Sequence, residues 1–202
     1  MTEYSVIAID SPWHEPGGNG KGSDDHYQTI RTVDGIAQTI LGARCWRPAT
    51  DCLAFLWTTM TSLPSALELM RAIDFEYKTH GVWVKVEQRY ADDADEPLWR
   101  TLEGAGANAL EDVLSFGIGQ YFRGAHELFL VGSRGRGFNV KTDAKDIPSV
   151  LFAPVPRREL VDGQKHHSAK PDEWYDMVAR RTRGERLDMF ARKARPGWAV
   201  WP

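Results

Sequence analysis

Residues 4–13 read Tyr4-Ser5-Val6-Ile7-Ala8-Ile9-Asp10-Ser11-Pro12-Trp13. The run up to Ile9 is apolar and β-branched, with neither a helical nor a strictly alternating period. That pattern predicts a strand buried on both faces, as in a parallel sheet covered by helices. Pro12 stops the strand, because its ring fixes φ and removes a donor. A carboxylate, Asp10, is therefore presented at a strand end. In open α/β sheets that is where ligands bind.

Working outward, a glycine-rich loop follows over 14–26. Residues 31–44 predict a short helix weakened by Gly35. Cys52–Trp57 predicts a second strand, Leu63–Ile73 an amphipathic helix, and Thr79–Val86 a third strand. Residues 87–112 are acidic, rich in Ala and Gly, and read as a mobile insertion. His126–Ser133, Ser149–Val155 and Arg186–Ala191 predict three more strands. Pro171–Arg181 predicts a helix with proline at its first position and acids in its first turn. Strands alternating with helices predict an α/β fold with a mainly parallel sheet and helices on both faces. A chain of 202 residues suits one domain.

Composition narrows the function less. The formal net charge is -3, so nucleic-acid binding finds no support in overall charge and must rest on local patches. The two cysteines, Cys45 and Cys52, lack partners at metal-ligand spacing and read as reduced thiols; no metal is expected. No run approaches the roughly 18 apolar residues of a membrane span, and the first ten residues are not a signal peptide. The expectation is a cytoplasmic protein with no membrane partner.

Asp10-Ser11-Pro12-Trp13 carries the chemistry. An aromatic amine is a poor nucleophile, because its lone pair is delocalised into the ring. Acceptors around the NH2 group favour a tetrahedral nitrogen and spread the charge that develops during transfer. Asp10 offers one acceptor and the Ser11 carbonyl a second. Pro12 makes the turn rigid, and Trp13 offers a ring to stack on a base. On pattern alone, a strand ending in a turn with Trp13 in the core is the better reading.

The wider sequence resembles the MT-A70 family of adenine N6-methyltransferases, nearly end to end. The family's Asp-Pro-Pro-Trp appears as Asp10-Ser11-Pro12-Trp13, and its Tyr-x-Thr-Met element as Tyr27-Gln28-Thr29-Ile30. Phe55-Leu56-Trp57, Trp83-Val84-Lys85 and the block Gly117–Gly132 match further elements. The most specific parts are His167-Ser168-Ala169-Lys170-Pro171-Asp172-Glu173-Trp174-Tyr175, Leu187-Asp188-Met189-Phe190-Ala191-Arg192, and Arg195-Pro196-Gly197-Trp198.

The resemblance implies a Rossmann-like methyltransferase fold in permuted motif order, with the catalytic strand first and the cofactor strand last. It implies S-adenosyl-L-methionine as cofactor. Asp10, Ser11, Pro12 and Trp13 would be catalytic. Tyr27, Lys85 and Glu127 would line the substrate side. Lys170 would meet the methionine carboxylate, and a helix start beside a lysine also suits a carboxylate on physical grounds. Asp188 and Arg192 would sit near the adenosine or ribose, with Ile9, His167 and Phe190 alongside. Arg134 and Arg136, interleaved with glycines, become candidate phosphate contacts for a nucleic-acid substrate; Arg180–Arg186 is a second basic stretch.

Two departures stand out. Ser11 replaces a proline, so a backbone carbonyl survives but rigidity is lost. The family's polar element after Arg-Pro-Gly-Trp has no counterpart before Pro202, which leaves Asp188 to hold the ribose. DNA is the expected substrate, as for stand-alone bacterial or phage enzymes of the family, with RNA as the alternative. A catalytically silent partner subunit, and transfer to another amine such as cytosine N4, are rival expectations. A homodimer or a partner subunit is compatible with all of them.

Overall fold

A computed structural model describes residues 2–14, 29–87, 113–117, 121–156, 160–161, 164–165 and 169–202. Tyr27, His167 and nearly all of the glycine-rich loop and the 87–112 insertion lie outside the described residues.

The strands are β1 (Tyr4–Ile9), β2 (Pro48–Thr58), β3 (Glu76–Val86), β4 (His126–Arg134), β5 (Val150–Pro154), β8 (Arg186–Met189) and β9 (Ala199–Trp201). They form one seven-stranded sheet in the order β5-β3-β4-β2-β1-β8-β9. Two-residue strands β6 (Leu160–Val161) and β7 (Gln164–Lys165) make a separate hairpin. The helices are α1 (Val33–Gly42), α2 (Leu63–Ala72) and α3 (Asp172–Arg181), with a 3-10 turn at Gly137–Val140. This is a Rossmann-like α/β fold in permuted order, since the first strand of the chain lies directly beside β8.

β1 is an interior strand between β2 and β8, with Val6, Ile7, Ala8 and Ile9 essentially free of solvent. Its side chains alternate between two cores. Ile7 and Ile9 pack with Ile36, Ala37 and Ile40 of α1 and Ala66, Leu69 and Met70 of α2. Val6 and Ala8 belong to the other face, with Leu53, Phe55 and Trp57 of β2 and Trp174, Tyr175 and Val178 of α3. Helices thus cover both faces. Thr32 caps α1 by accepting the Gly35 N–H at 3.1 Å, and Pro64 occupies the first turn of α2.

Within the seven-stranded sheet four strand pairs are parallel and two are antiparallel, both of the latter involving β4. The reversal of β4 has a large consequence. Thr58, at the end of β2, pairs with Leu128 near the start of β4, while Cys52 pairs with Arg134 at its end. The beginning of β4 therefore lies at the carboxyl end of the parallel strands. Gly81 is needed where β3 passes β4, because a side chain there would collide with the Phe129 ring. The strand expected over 186–191 stops at Met189, since Phe190 turns into the left-handed region with φ 60. β9 and the β6–β7 hairpin were not anticipated from the sequence.

Candidate active site

The strand alternation that builds the core also builds the site. On the α3 face, Ala8 is followed two residues later by Asp10, and Ala8 pairs across with Asp188 of β8. Trp57 of β2, Glu127 of β4 and Lys85 of β3 share this face by the same period of two. Five strands thus present polar or aromatic groups in a row at one end of the sheet. Above it lies Lys170, one residue before Pro171, the N-cap of α3.

The charges in this row form a chain. Lys85 Nζ lies 2.6 Å from Glu127, Glu127 lies 3.1 Å from Lys170, and Lys170 lies 3.1 Å from Asp10. Lys170 and Glu127 are buried, and Lys85 is half-buried. The Lys170 ammonium sits 5.5 Å from the centre of the Trp57 ring, and that of Lys85 sits 5.1 Å from the Trp83 ring. Trp57, Trp83, Phe129 and Trp174 pack edge-on or tilted beneath them, so the charges rest on an aromatic floor.

Burial works against a charged Glu127, but the two ammonium groups outweigh it and hold the carboxyl at about 2. Burial likewise disfavours the Lys170 ammonium, yet Asp10 and Glu127 hold it above the ordinary lysine range. Both residues are ionised at neutral pH.

Asp188 is in a different state. It is 1% exposed, and burial raises its carboxyl to about 7. A hydrogen bond from Tyr175 and the Arg195 guanidinium limit the rise, while the Asp10 charge adds to it. Burial and the nearby Asp188 push the Tyr175 hydroxyl far above its usual range. Arg195 Nη1 reaches Asp188 Oδ2 at 3.3 Å. Tyr175 and Arg195 were not singled out as site residues from the sequence. Their contacts depend on how the β8–β9 loop folds back over α3, which no local pattern encodes.

Other expected residues fall as follows. Trp13 is nearly buried in the α1–α2 core, and its indole N–H donates to the Trp57 carbonyl at 2.9 Å. The structure thus gives its ring a packing role. The Ser11 carbonyl accepts the Trp13 N–H at 2.8 Å, and the Pro12 carbonyl accepts the Ile30 N–H at 3.0 Å; these bonds fix the turn. The Ile9 side chain is wholly in the core, so it does not line the site. Phe190 packs its ring against Trp201, with centroids 5.1 Å apart. Arg192 is half-buried in the β8–β9 loop.

Arg134 and Arg136 do not join this row of charges. β4 runs antiparallel, so they lie at the far end of the sheet, about 26 Å along the strand from His126 by strand geometry. There Arg134 pairs with Asp74 at 3.5 Å, and the Arg136 N–H donates to Asp51 at 2.7 Å.

Among the described residues, no group of His, Cys, Asp and Glu is arranged to hold a metal. Among them, too, no helix is long and apolar enough to cross a membrane. The donor set instead fits S-adenosylmethionine. A buried carboxylate at Asp188 suits a ribose diol, and the Asp10 carboxylate lies on the same face, where a sulfonium is stabilised by negative charge.

Residues 107–202 match the MT-A70 family model. The match takes in just under half of the chain and includes Glu127, Lys170, Asp188 and Arg195. It supports MT-A70 membership, and MT-A70 proteins are methyltransferases that normally use S-adenosylmethionine. Asp10 and Lys85 lie outside the MT-A70 match, yet they are tied to it by direct ion pairs. No curated protein matches the chain.

Proposed function

We propose that this chain transfers a methyl group from S-adenosylmethionine to the exocyclic N6 amine of adenine in a nucleic acid, with DNA preferred. The observation that carries the reading is the ion pair of Asp10 with Lys170, on the same face and at the same sheet end as Asp188. It joins the first strand of the chain to the cofactor-side elements within the MT-A70 match.

When bound, the cofactor supplies an electrophilic methyl on sulfur. Asp10 receives a hydrogen bond from the amine, which favours a tetrahedral nitrogen and offsets the developing positive charge. Lys170 holds Asp10 through Oδ1, and Glu127 holds Lys170 from the other side. The Ser11 carbonyl has a second lone pair beyond the one Trp13 engages, so it serves as the second acceptor. Asp188 would accept the ribose hydroxyls of the bound cofactor. Lys85 lies at the substrate end of the chain of charges. A target base in a duplex must be extruded to reach this row. The preference for DNA rests on the likeness to stand-alone bacterial and phage enzymes, and RNA is the alternative.

The decisive experiment incubates the purified chain with S-adenosylmethionine and unmethylated DNA or RNA, followed by nucleoside digestion and mass spectrometry. N6-methyladenine is expected in DNA, with the rate falling by about a hundredfold or more in Asp10→Ala, as for loss of one transition-state acceptor. Methyl in RNA alone would replace the polymer, and methyl on cytosine would replace the base. No transfer to either polymer, with no cofactor binding by calorimetry, would leave the chain a silent family member.

A further inference from the structure

Arg195 lies in the loop between β8 and β9, and its side chain is 9% exposed. Its guanidinium donates to Asp188 Oδ2 at 3.3 Å, to Asp172 Oδ1 at 2.9 Å and to the Lys170 carbonyl at 3.3 Å. The guanidinium carbon also lies 3.6 Å from the centre of the Tyr175 ring. One planar cation therefore touches the strand that carries Asp188, the first turn of α3, the residue before that helix's N-cap and the Tyr175 ring on the helix.

We propose that Arg195 is a positioning residue: it fixes the Asp188 carboxylate in the orientation and charge needed for the cofactor's ribose diol, and ties it to the helix start that carries Lys170. This rests on reading the site as a cofactor pocket. A diol presents two donors, which an ionised carboxylate accepts and a protonated one accepts less well. A carboxylate buried among aromatic rings tends to take up a proton. Arg195 opposes that tendency, and Tyr175 supports the charged form by donating to it. The other charge facing Asp188 is Asp10 on β1, which favours protonation. Beyond Arg195, Asp172 is shared with Lys193 at 2.7 Å, so the guanidinium is not drawn wholly away from Asp188. A lysine would keep the charge but lacks the fork that meets three oxygens at once.

The sign follows from the raised Asp188 pKa. The proton must leave for the diol to be accepted, so cofactor affinity rises with pH through about 7 and levels off above it. Loss of Arg195 removes a cation that favours ionisation, so the rise moves to higher pH.

The test is calorimetric titration of the full chain with S-adenosylhomocysteine from about pH 5.5 to about pH 9. Wild type is expected to gain about tenfold in affinity per pH unit below the midpoint. Arg195→Met should bind about tenfold or more weakly at neutral pH, with its midpoint displaced upward by about one unit. Arg195→Lys, the variant less disturbing to the fold, should keep the midpoint near that of wild type while binding several-fold more weakly. Arg195→Met with the wild-type midpoint overturns the inference, even if affinity falls equally at every pH, because that is what simple loosening of the loop produces. If Arg195→Met does not fold, Arg195→Lys with wild-type affinity overturns it as well. A wild-type chain that binds no S-adenosylhomocysteine at any pH overturns the cofactor reading and this inference together. The failure of the inference alone requires wild-type binding.

Discussion

The two ends of the sheet treat charge in opposite ways. At the carboxyl end of the parallel strands, Lys85, Glu127, Lys170 and Asp10 pair side chain to side chain, with Lys170 and Glu127 almost dry. At the other end, arginines hold backbone. Arg183 donates twice to the Lys141 carbonyl at 3.0 and 2.6 Å, and Arg186 donates to the Ala179 and Thr182 carbonyls. Arg181 reaches the Thr142 and Ala144 carbonyls. The ion pairs there, Arg180 with Asp146 and Arg134 with Asp74, are exposed. Exposed pairs contribute little, whereas burying ions costs more than an apolar core of the same volume. A fold that only needed stability would keep its ions at the second end. The buried chain at the first end is explained by what it holds in place.

The strongest way to break this contrast is Lys170→Met. Without the shared cation, the half-buried Asp10 loses its ammonium partner and the buried Glu127 is left with Lys85 alone. The expected loss is about 3 kcal/mol or more. For a chain of this length, that lowers the melting temperature by about 10 °C. Adding Glu127→Gln should recover part of the loss by removing a buried charge that has lost one of its two cations. A Lys170→Met protein that melts like wild type would mean that the ions are well solvated, and the contrast would vanish.

A smaller effect separates two acids within the same end. Glu127 is held at about 2, below its ordinary value, so its contribution is present above the ordinary carboxylate range and is lost as pH falls toward about 2. Asp188 is raised to about 7, so the sign reverses: its contribution is present below its ordinary value and is lost as pH rises through about 7. Between about pH 5 and pH 8 the ligand-free protein should therefore lose on the order of 2 kcal/mol, and Asp188→Asn should remove that slope. Scanning calorimetry across this range reads it directly. A slope that persists in Asp188→Asn assigns the titration to another group.

The sequence made one half of the contrast legible. The unbroken apolar run Val6–Ile9 predicted a buried strand, and Pro12 marked its end, where Asp10 stands. Lys170 beside Pro171 announced a helix start. The direction of β4 was not legible, because His126–Ser133 reads equally well up or down a sheet. Running antiparallel, it carries Arg134 and Arg136 away from the ligand end and brings Glu127 to it, where only the family resemblance had placed that residue. β9 has only three residues, too few to show a period. The β6–β7 hairpin was within reach: Asp162-Gly163 sits between its strands, a pair typical of two-residue turns. Arg195 stayed hidden because its partners Asp188, Asp172 and Lys170 are brought to it by tertiary folding.

The smallest expected effect tests the polarity of the sheet itself. Arg134 and Arg136 stand where Asp51 organises the turn after β4, accepting from the Arg136 N–H and, through its other oxygen, from the Asn139 side chain, both at 2.7 Å. Gly135 in that turn has φ 59, and a side chain on it would strike the Thr50 carbonyl. These are the contacts of a tight surface turn, and neither guanidinium is needed for them. Replacing both arginines by alanine should change stability by less than about 0.5 kcal/mol, as for ordinary surface sites. Methyl transfer should stay within about twofold, and its dependence on salt should keep the same slope, because no phosphate contact is lost. The same double substitution would lower transfer tenfold and flatten the salt slope if the nucleic acid wrapped from one end of the sheet to the other. In that case the far end would be an anchoring surface, and the division of labour between buried and exposed charge would have to be redrawn around the path of the bound strand.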